Sequence, residues 1–266
     1  MHFCDVDIDK PQKQKMQTFK DKNVIITGGN SGIGLATAKE FISKGSKVII
    51  TGRNKELVES EAKAIGALGF VSDQSNLSQI DELVKCAKEK LGKVDVLFIN
   101  AGIAAFAPIE AITEEHYNSI MDINFKGAVF TLKKFLPLLN DGASVIFLSS
   151  INAYNAMANT ATYAASKAAL NTLAKVAAVE LAPRGIRINV VSAGPVNTPL
   201  WSKVGMPAEQ LSQVATLIQN KVPLKKFGSP EEIARTVVFL ASNDSSFTTG
   251  AELVVDGGFN LNTLIG

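Results

Sequence analysis

Short β-branched runs alternate with helix-period segments from residue 23 to residue 258, and that alternation leaves few folds open. "NVIITG" (23–28), "KVIITGR" (47–53), "ALGFVSD" (67–73), "VDVLFINAG" (94–102), "ASVIFLSS" (143–150), "IRINVVSAG" (186–194) and "AELVVDGG" (251–258) read as strands. They are short and apolar, and several are closed by glycine. Helical periodicity falls between them. Ile33, Ala36, Thr37 and Phe41 share a face before Gly45, "ELVESEAKAIG" follows the second strand, and 80–91 follows the third. Phe125, Val129, Leu132 and Leu136 are spaced as one helix, 161–182 is an alanine-rich helix, and "EEIARTVVFLAS" is the last. Residues 195–229, with Pro195, Pro199, Pro207 and Pro223, read as less regular. The alternation predicts an α/β fold, a mostly parallel seven-stranded sheet with helices on both faces and right-handed crossovers. Residues 1–20 read as a polar N-terminal tail and 21–266 as a single domain. In such a fold ligands bind beyond the carboxyl ends of the strands.

Composition narrows the function. A net charge of +2 over 266 residues argues against nucleic acid or an anionic membrane as partner. The one basic cluster, Lys10, Lys13, Lys15, Lys20 and Lys22, lies in the tail and lacks interleaved aromatics. No apolar run approaches the ~18 residues of a spanning helix. Cys4 and Cys86 give no disulfide framework, and His2 and His116 no metal cluster, so no metal is expected. The chain reads as cytoplasmic.

"TGGNSGIG" (27–34) joins the first strand to the first helix. Glycines at 28, 32 and 34 permit a tight turn and let a pyrophosphate approach the backbone, where the helix N-terminus offers unpaired N–H groups. The turn's place after the first strand of an alternating chain makes a dinucleotide site the better reading than a plain connection. At the end of the second strand, "IITGRN" carries no carboxylate to hold a ribose 2′-hydroxyl, and Arg53 stands where a 2′-phosphate would be received. NADP(H) is therefore favoured, with NAD(H) possible. Asp73, ending the third strand, is a candidate for the adenine amino group or for capping the next helix.

Tyr163 and Lys167 in "TYAASK" fall four apart on a helix, so phenol and ammonium share a face. Together with "TGGNSGIG", "NAG" (100–102), Asn124, "LSS" ending at Ser150, and "AGPVNTP" (193–199), this motif makes the chain resemble a classical short-chain dehydrogenase/reductase over roughly residues 21–260, in the right order. The resemblance implies a Rossmann fold and a hydride transfer between a nicotinamide and a carbonyl or secondary alcohol. Tyr163 would be the general acid/base, its ionisation favoured by Lys167 and the oxidised nicotinamide. Ser150 would hold the substrate oxygen, with Ser149 the alternative on the opposite side of the strand. Asn124 would bind a water leading to Lys167, although an asparagine there can also serve the local backbone. Cofactor contacts would come from Gly28, Asn30, Ser31, Gly32, Ile33, Gly34, Arg53, Asp73, Asn100, Ala101, Gly102, Tyr163, Lys167, Pro195, Val196 and Thr198. Two departures are visible. Ala193 stands where many members have proline, and Ser31 where many NADP(H)-dependent members have a basic residue.

The stretch 199–222, with Trp201 and Lys203, lies where the family has a variable substrate lid. Ile103, Ala104, Phe106, Ile151, Asn152, Ala153 and Tyr154 are expected along the cleft. "VDGGF" (255–259) and the helices holding Asn124 and Tyr163 resemble subunit-packing elements, so a homotetramer is expected and a dimer is the alternative. A 3-oxoacyl-acyl-carrier-protein reductase is the rival enzyme and would need a basic docking surface. A non-catalytic nucleotide-sensing scaffold is the rival of another class, and it would normally lack Tyr163 or Lys167. A sugar-nucleotide epimerase is disfavoured by the glycine spacing.

Overall fold

The computed structural model of the protein describes residues 19–199 and 208–261. Most of the predicted tail, together with Trp201 and Lys203, lies outside the described residues. Seven strands form one sheet in the order β3-β2-β1-β4-β5-β6-β7. They are β1 (Asn23–Ile26), β2 (Lys47–Gly52), β3 (Leu68–Val71), β4 (Val94–Ile99), β5 (Leu139–Ser150), β6 (Arg187–Ala193) and β7 (Glu252–Val255). Every neighbouring pair is parallel, so the sheet is wholly rather than mostly parallel. The chain runs outward from β1 to β3, then returns to place β4 on the other side of β1. The order reverses between β1 and β4, and a crevice opens there beyond the strand ends.

Strand alternation sends side chains to two cores. On β1, Ile25 joins one, and Val24 and Ile26 the other; on β4, Leu97 and Ile99 oppose Val96 and Phe98. Helices α1 (Gly32–Ser43), α2 (Lys55–Ile65) and α8 (Pro230–Ala241) cover one face through Ala38, Phe41, Ala62, Ile233 and Val237. Helices α3 (Leu77–Lys90), α5 (Gly127–Phe135) and α6 (Ala161–Leu181) cover the other through Leu83, Leu132, Phe135, Leu170 and Ala174. Sequence chemistry sets the helix ends. Asn54 caps α2 through Leu57 N–H, and Ser229 and Glu232 form a reciprocal capping box on α8, with Pro230 in its first turn.

Three departures from the sequence expectation matter. Helix α3 starts at Leu77 rather than residue 80, because Asn76 accepts hydrogen bonds from Ser78 and Gln79 N–H. A helix absent from the sequence reading, α4 (Glu114–Met121), precedes α5, and a five-residue π turn, Asp122–Lys126, joins the two. The stretch expected to be irregular holds α7 (Ala208–Lys221).

The π turn is held from below. An ideal Cβ on Gly127 would lie 2.2 Å from the Gln74 carbonyl oxygen and 2.7 Å from Gln74 Cγ. The buried Gln74 also donates to Thr131 Oγ1 at 3.0 Å. Gly127→Ala should therefore lower stability by about 1–3 kcal/mol, the usual range for overpacking a tight contact. Urea unfolding would measure this, and a midpoint equal to the parent's would contradict the packing account.

Candidate functional site

The glycine turn is stitched to the end of β4. Asn100 Nδ2 donates to the carbonyl oxygens of Thr27 and Gly28, both at 2.9 Å. Thr27 Oγ1 accepts from the N–H groups of Asn100 and Ala101, both at 3.0 Å. Two glycines are required by this closeness: Gly28 has φ +64°, and a Cβ on Gly34 would lie 2.3 Å from Gly28 O. Ser31 occupies the N-cap of α1 yet makes no side-chain cap bond, and the first turn of α1 holds no acidic residue. Its hydroxyl and the first-turn N–H groups are therefore placed to receive an anion.

At the tip of β2, a Cβ on Gly52 would fall 2.6 Å from Asn30 Oδ1, so Asn30 packs on the backbone just before Arg53. Arg53 is exposed and makes no ion pair among the described residues. Asp73 does not cap α3, a role that falls to Asn76. Its Oδ1 instead accepts from Ser75 N–H at 2.9 Å and from Ser75 Oγ at 2.8 Å.

Beyond β4 and β5 lies a cleft of ≈ 120 Å³ whose walls include Ile33, Asn100, Gly102, Ile103, Ser150, Tyr163, Lys167, Val196 and Thr198. Residues from five separate stretches of the chain thus converge at one sheet edge. Ser150 is the last residue of β5; its Oγ accepts from Asn152 N–H at 3.2 Å, and its side chain lines the cleft together with that of Tyr163. Ser149 also borders the cleft, but its hydroxyl is buried and donates to Lys167 O at 3.3 Å. Lys167 is only 4% exposed. Its Nζ donates to Leu148 O at 2.9 Å and stands 5.8 Å from the centre of the Tyr163 ring.

Burial dominates the electrostatics. It lowers the Lys167 pKa to about 8 and pushes the Tyr163 phenol up, an effect the neighbouring Ser150 hydroxyl opposes. In the protein without cofactor the phenol is thus a weaker acid than in water, the reverse of what the tyrosine–lysine spacing alone suggests.

Asn124 sits in the π turn, 1% exposed, behind Gly102. Its side chain grips Ile103 from both sides, with Oδ1 accepting from Ile103 N–H at 2.8 Å and Nδ2 donating to Ile103 O at 2.9 Å. A Cβ on Gly102 would stand 3.2 Å from Asn124 Oδ1 and 3.4 Å from Lys167 Nζ. Glycine there keeps open the space where the two groups meet.

The loop after β6 closes the cleft. Val196 pairs with Gly228 as a parallel bridge, and Gly228 N–H donates to Pro195 O at 2.9 Å. Thr198 lies next to Gly32, 3.5 Å from where a Cβ would sit. Of the residues expected to line the cleft, Ile103 does so. Phe106 packs edge-on against the Tyr163 ring at 6.3 Å. Tyr154 instead borders a separate depression beside β7 with Glu252 and Asp256. The sequence reading missed the Leu148 carbonyl, which no side-chain pattern could signal, and Ser166, which lay inside the motif it did find.

These residues fit a dinucleotide: an acid-free helix N-terminus follows a glycine turn, an arginine stands at the tip of β2, and glycine faces the buried lysine. Among the described residues no cluster of metal-ligating side chains occurs, and no helix is long and apolar enough to cross a membrane.

Comparison with known proteins agrees with this geometry. Residues 28–260 match the profile of a family described as enoyl-(acyl carrier protein) reductase. The chain is 36% identical over 250 residues to an NADP-dependent (R)-specific alcohol dehydrogenase of Lentilactobacillus kefiri, covering 91% of this chain and 97% of that protein. It is 35% identical over 247 residues to a 3-oxoacyl-acyl-carrier-protein reductase of Thermotoga maritima, covering 90% and 98%. A short-chain dehydrogenase/reductase of Brucella melitensis, described as a glucose/ribitol dehydrogenase, superposes with a TM-score of 0.87 at 30% identity, covering 92% of this chain and 99% of that one. With a wholly parallel sheet, a glycine turn at its switch point and these relatives along nearly its full length, the chain belongs to the short-chain dehydrogenase/reductase family and is an oxidoreductase of alcohol and carbonyl groups.

Proposed function

We propose that the protein moves a hydride between NADP(H) and a carbonyl or secondary-alcohol substrate, with Tyr163 as general acid/base. The observation that carries this reading is the convergence of Ser150, Tyr163 and Lys167 on one cleft, with Lys167 Nζ 5.8 Å from the centre of the Tyr163 ring. The nicotinamide supplies or accepts the hydride. Ser150 Oγ and the Tyr163 hydroxyl together present two hydrogen-bonding groups to one substrate oxygen, which fixes its position and stabilises charge as it develops. In reduction Tyr163 gives that oxygen a proton; in oxidation it removes one. Lys167 favours the phenolate by its charge, and the oxidised nicotinamide adds a second positive charge. Gly28, Ser31, Gly32, Ile33 and Gly34 hold the pyrophosphate. Asn30, Arg53 and Asp73 take the adenosine end, while Asn100, Ala101, Gly102, Pro195, Val196 and Thr198 take the nicotinamide end. Asn124 holds Ile103, and through it the floor of the cleft, in place for a water leading to Lys167.

NADP(H) is preferred over NAD(H) because Arg53 stands exposed at the tip of β2, without an ion-pair partner among the described residues, and Ser31 has a hydroxyl not used in capping. The relative from Thermotoga maritima favours acyl-carrier-protein substrates as the second reading. Assembly as a homotetramer is supported by apolar side chains left exposed on α6 (Val176, Val179) and at the β7 edge (Val254). A cytoplasmic location accompanies a diffusible nicotinamide cofactor.

Tyr163→Phe should lower turnover by roughly 10²–10⁴-fold, the range for removing a general acid/base, while NADPH affinity in a fluorescence titration stays within about threefold. Near-normal turnover would refute the assigned role. Arg53→Ala should weaken NADPH roughly 10- to 100-fold, as expected for a charged hydrogen bond, and leave NADH nearly unchanged; equal losses would exclude a phosphate contact. For carbonyl reduction, kcat/KM should hold steady at neutral pH and fall as pH rises through about 8, where Lys167 loses its proton. The limb should vanish in Lys167→Met. A flat profile in the parent protein would contradict a catalytic charge at Lys167.

A further inference from the structure

Between Tyr163 and Lys167 stands a serine that no part of the mechanism above uses. Ser166 is fully buried (0% exposed). Its Oγ donates to the carbonyl oxygen of Tyr163 at 2.7 Å and accepts from Asn124 Nδ2 at 3.1 Å. Asn124 is in turn fixed to both backbone polar groups of Ile103. One hydroxyl therefore links the first turn of α6, the π turn and the loop leaving β4. A bond from a serine hydroxyl to a carbonyl in the preceding turn often bends a helix locally, and here the bond is made to the turn that carries the tyrosine. Thr160, at the N-cap of α6, makes no side-chain bond to the helix N–H groups; its hydroxyl donates to Met157 O at 2.7 Å instead.

We propose that Ser166 is a positioning residue: its two hydrogen bonds set the distance and angle between the Tyr163 hydroxyl and Ser150 by tying the start of α6 to Asn124. It touches neither substrate nor cofactor. The inference rests on Tyr163 being the acid/base. If Ser166 is lost, Asn124 Nδ2 keeps one acceptor and Ile103 stays held, so the cofactor floor survives while the tyrosine is released. The effect should therefore fall on kcat rather than on cofactor binding.

The test uses the full chain with NADPH and a ketone or alcohol turned over by the parent protein. Ser166→Ala should lower kcat about tenfold and leave the cofactor KM within twofold. It should also move the tyrosine-dependent limb of alcohol oxidation to higher pH, because a tyrosine displaced from Ser150 loses the neighbouring hydroxyl that favours its phenolate. Ser166→Cys, similar in size but a poorer donor and acceptor, should shift kcat and the limb in the same direction by less. Circular dichroism and NADPH titration report the folded fraction of each variant. The proposal is overturned if both variants keep the parental kcat and pH profile, or if activity falls only in proportion to folded protein with the limb unmoved. Tyr163→Phe, run alongside, separates this from failure of the acid/base assignment: a Phe variant that still turns over removes the role that Ser166 is proposed to support.

Discussion

A buried ammonium with no carboxylate partner among the described residues is the constraint around which this site is arranged. Lys167 is almost wholly enclosed, and its Nζ is held by a single carbonyl, that of Leu148. Removing a cation from water is expensive unless it is paired, and the drop of its pKa to about 8 expresses that cost. An apolar residue would pack there more cheaply. In the mechanism we propose that cost serves function, because a charge near a phenol in a partly desolvated cleft acts on it more strongly than in water. The glycine at 102 and the aromatic face of Tyr163 both border this one charge.

The sheet makes such a meeting possible. Its order reverses between β1 and β4, and hydrogen bonds from Asn100 and Thr27 lock those two strand ends together. Once locked, the glycine turn faces the end of β5 and the loop after β6. Ser150 arrives from β5, Tyr163 and Lys167 from α6, and Thr198 from beyond β6. None of these groups is close to the glycine turn in sequence; the parallel register brings them to one edge.

Much of this was legible in the sequence, for physical reasons that can be named. Strand alternation is a strong signal because each buried strand is short and β-branched. The Tyr163–Lys167 pair is legible because helical spacing places residues four apart on one face. What escaped had weaker signatures. Helix α4 is short and polar and buries only Ile120, and the π turn then breaks the 3.6-residue period that would have linked it to α5. Helix α7 lies in a proline-rich stretch, and none of its described side chains is buried, so no core-facing stripe marks it. Asp73 and Asn76 are both good capping types three residues apart, and only the structure separates them. The upward push on Tyr163 comes from tertiary burial, which spacing cannot report, and every residue carries a carbonyl like that of Leu148.

The account turns on whether the charge of Lys167 and the bound cofactor together overcome that burial. The direct measurement is an ultraviolet difference titration of phenolate formation, with and without the oxidised cofactor. Tyr163→Phe serves as the subtraction that isolates one of the three tyrosines. The account predicts that Tyr163 ionises at distinctly lower pH when the oxidised cofactor is bound, and that this displacement shrinks in Lys167→Met. An ionisation that stays in place with cofactor bound, or is the same with and without the lysine, would contradict it.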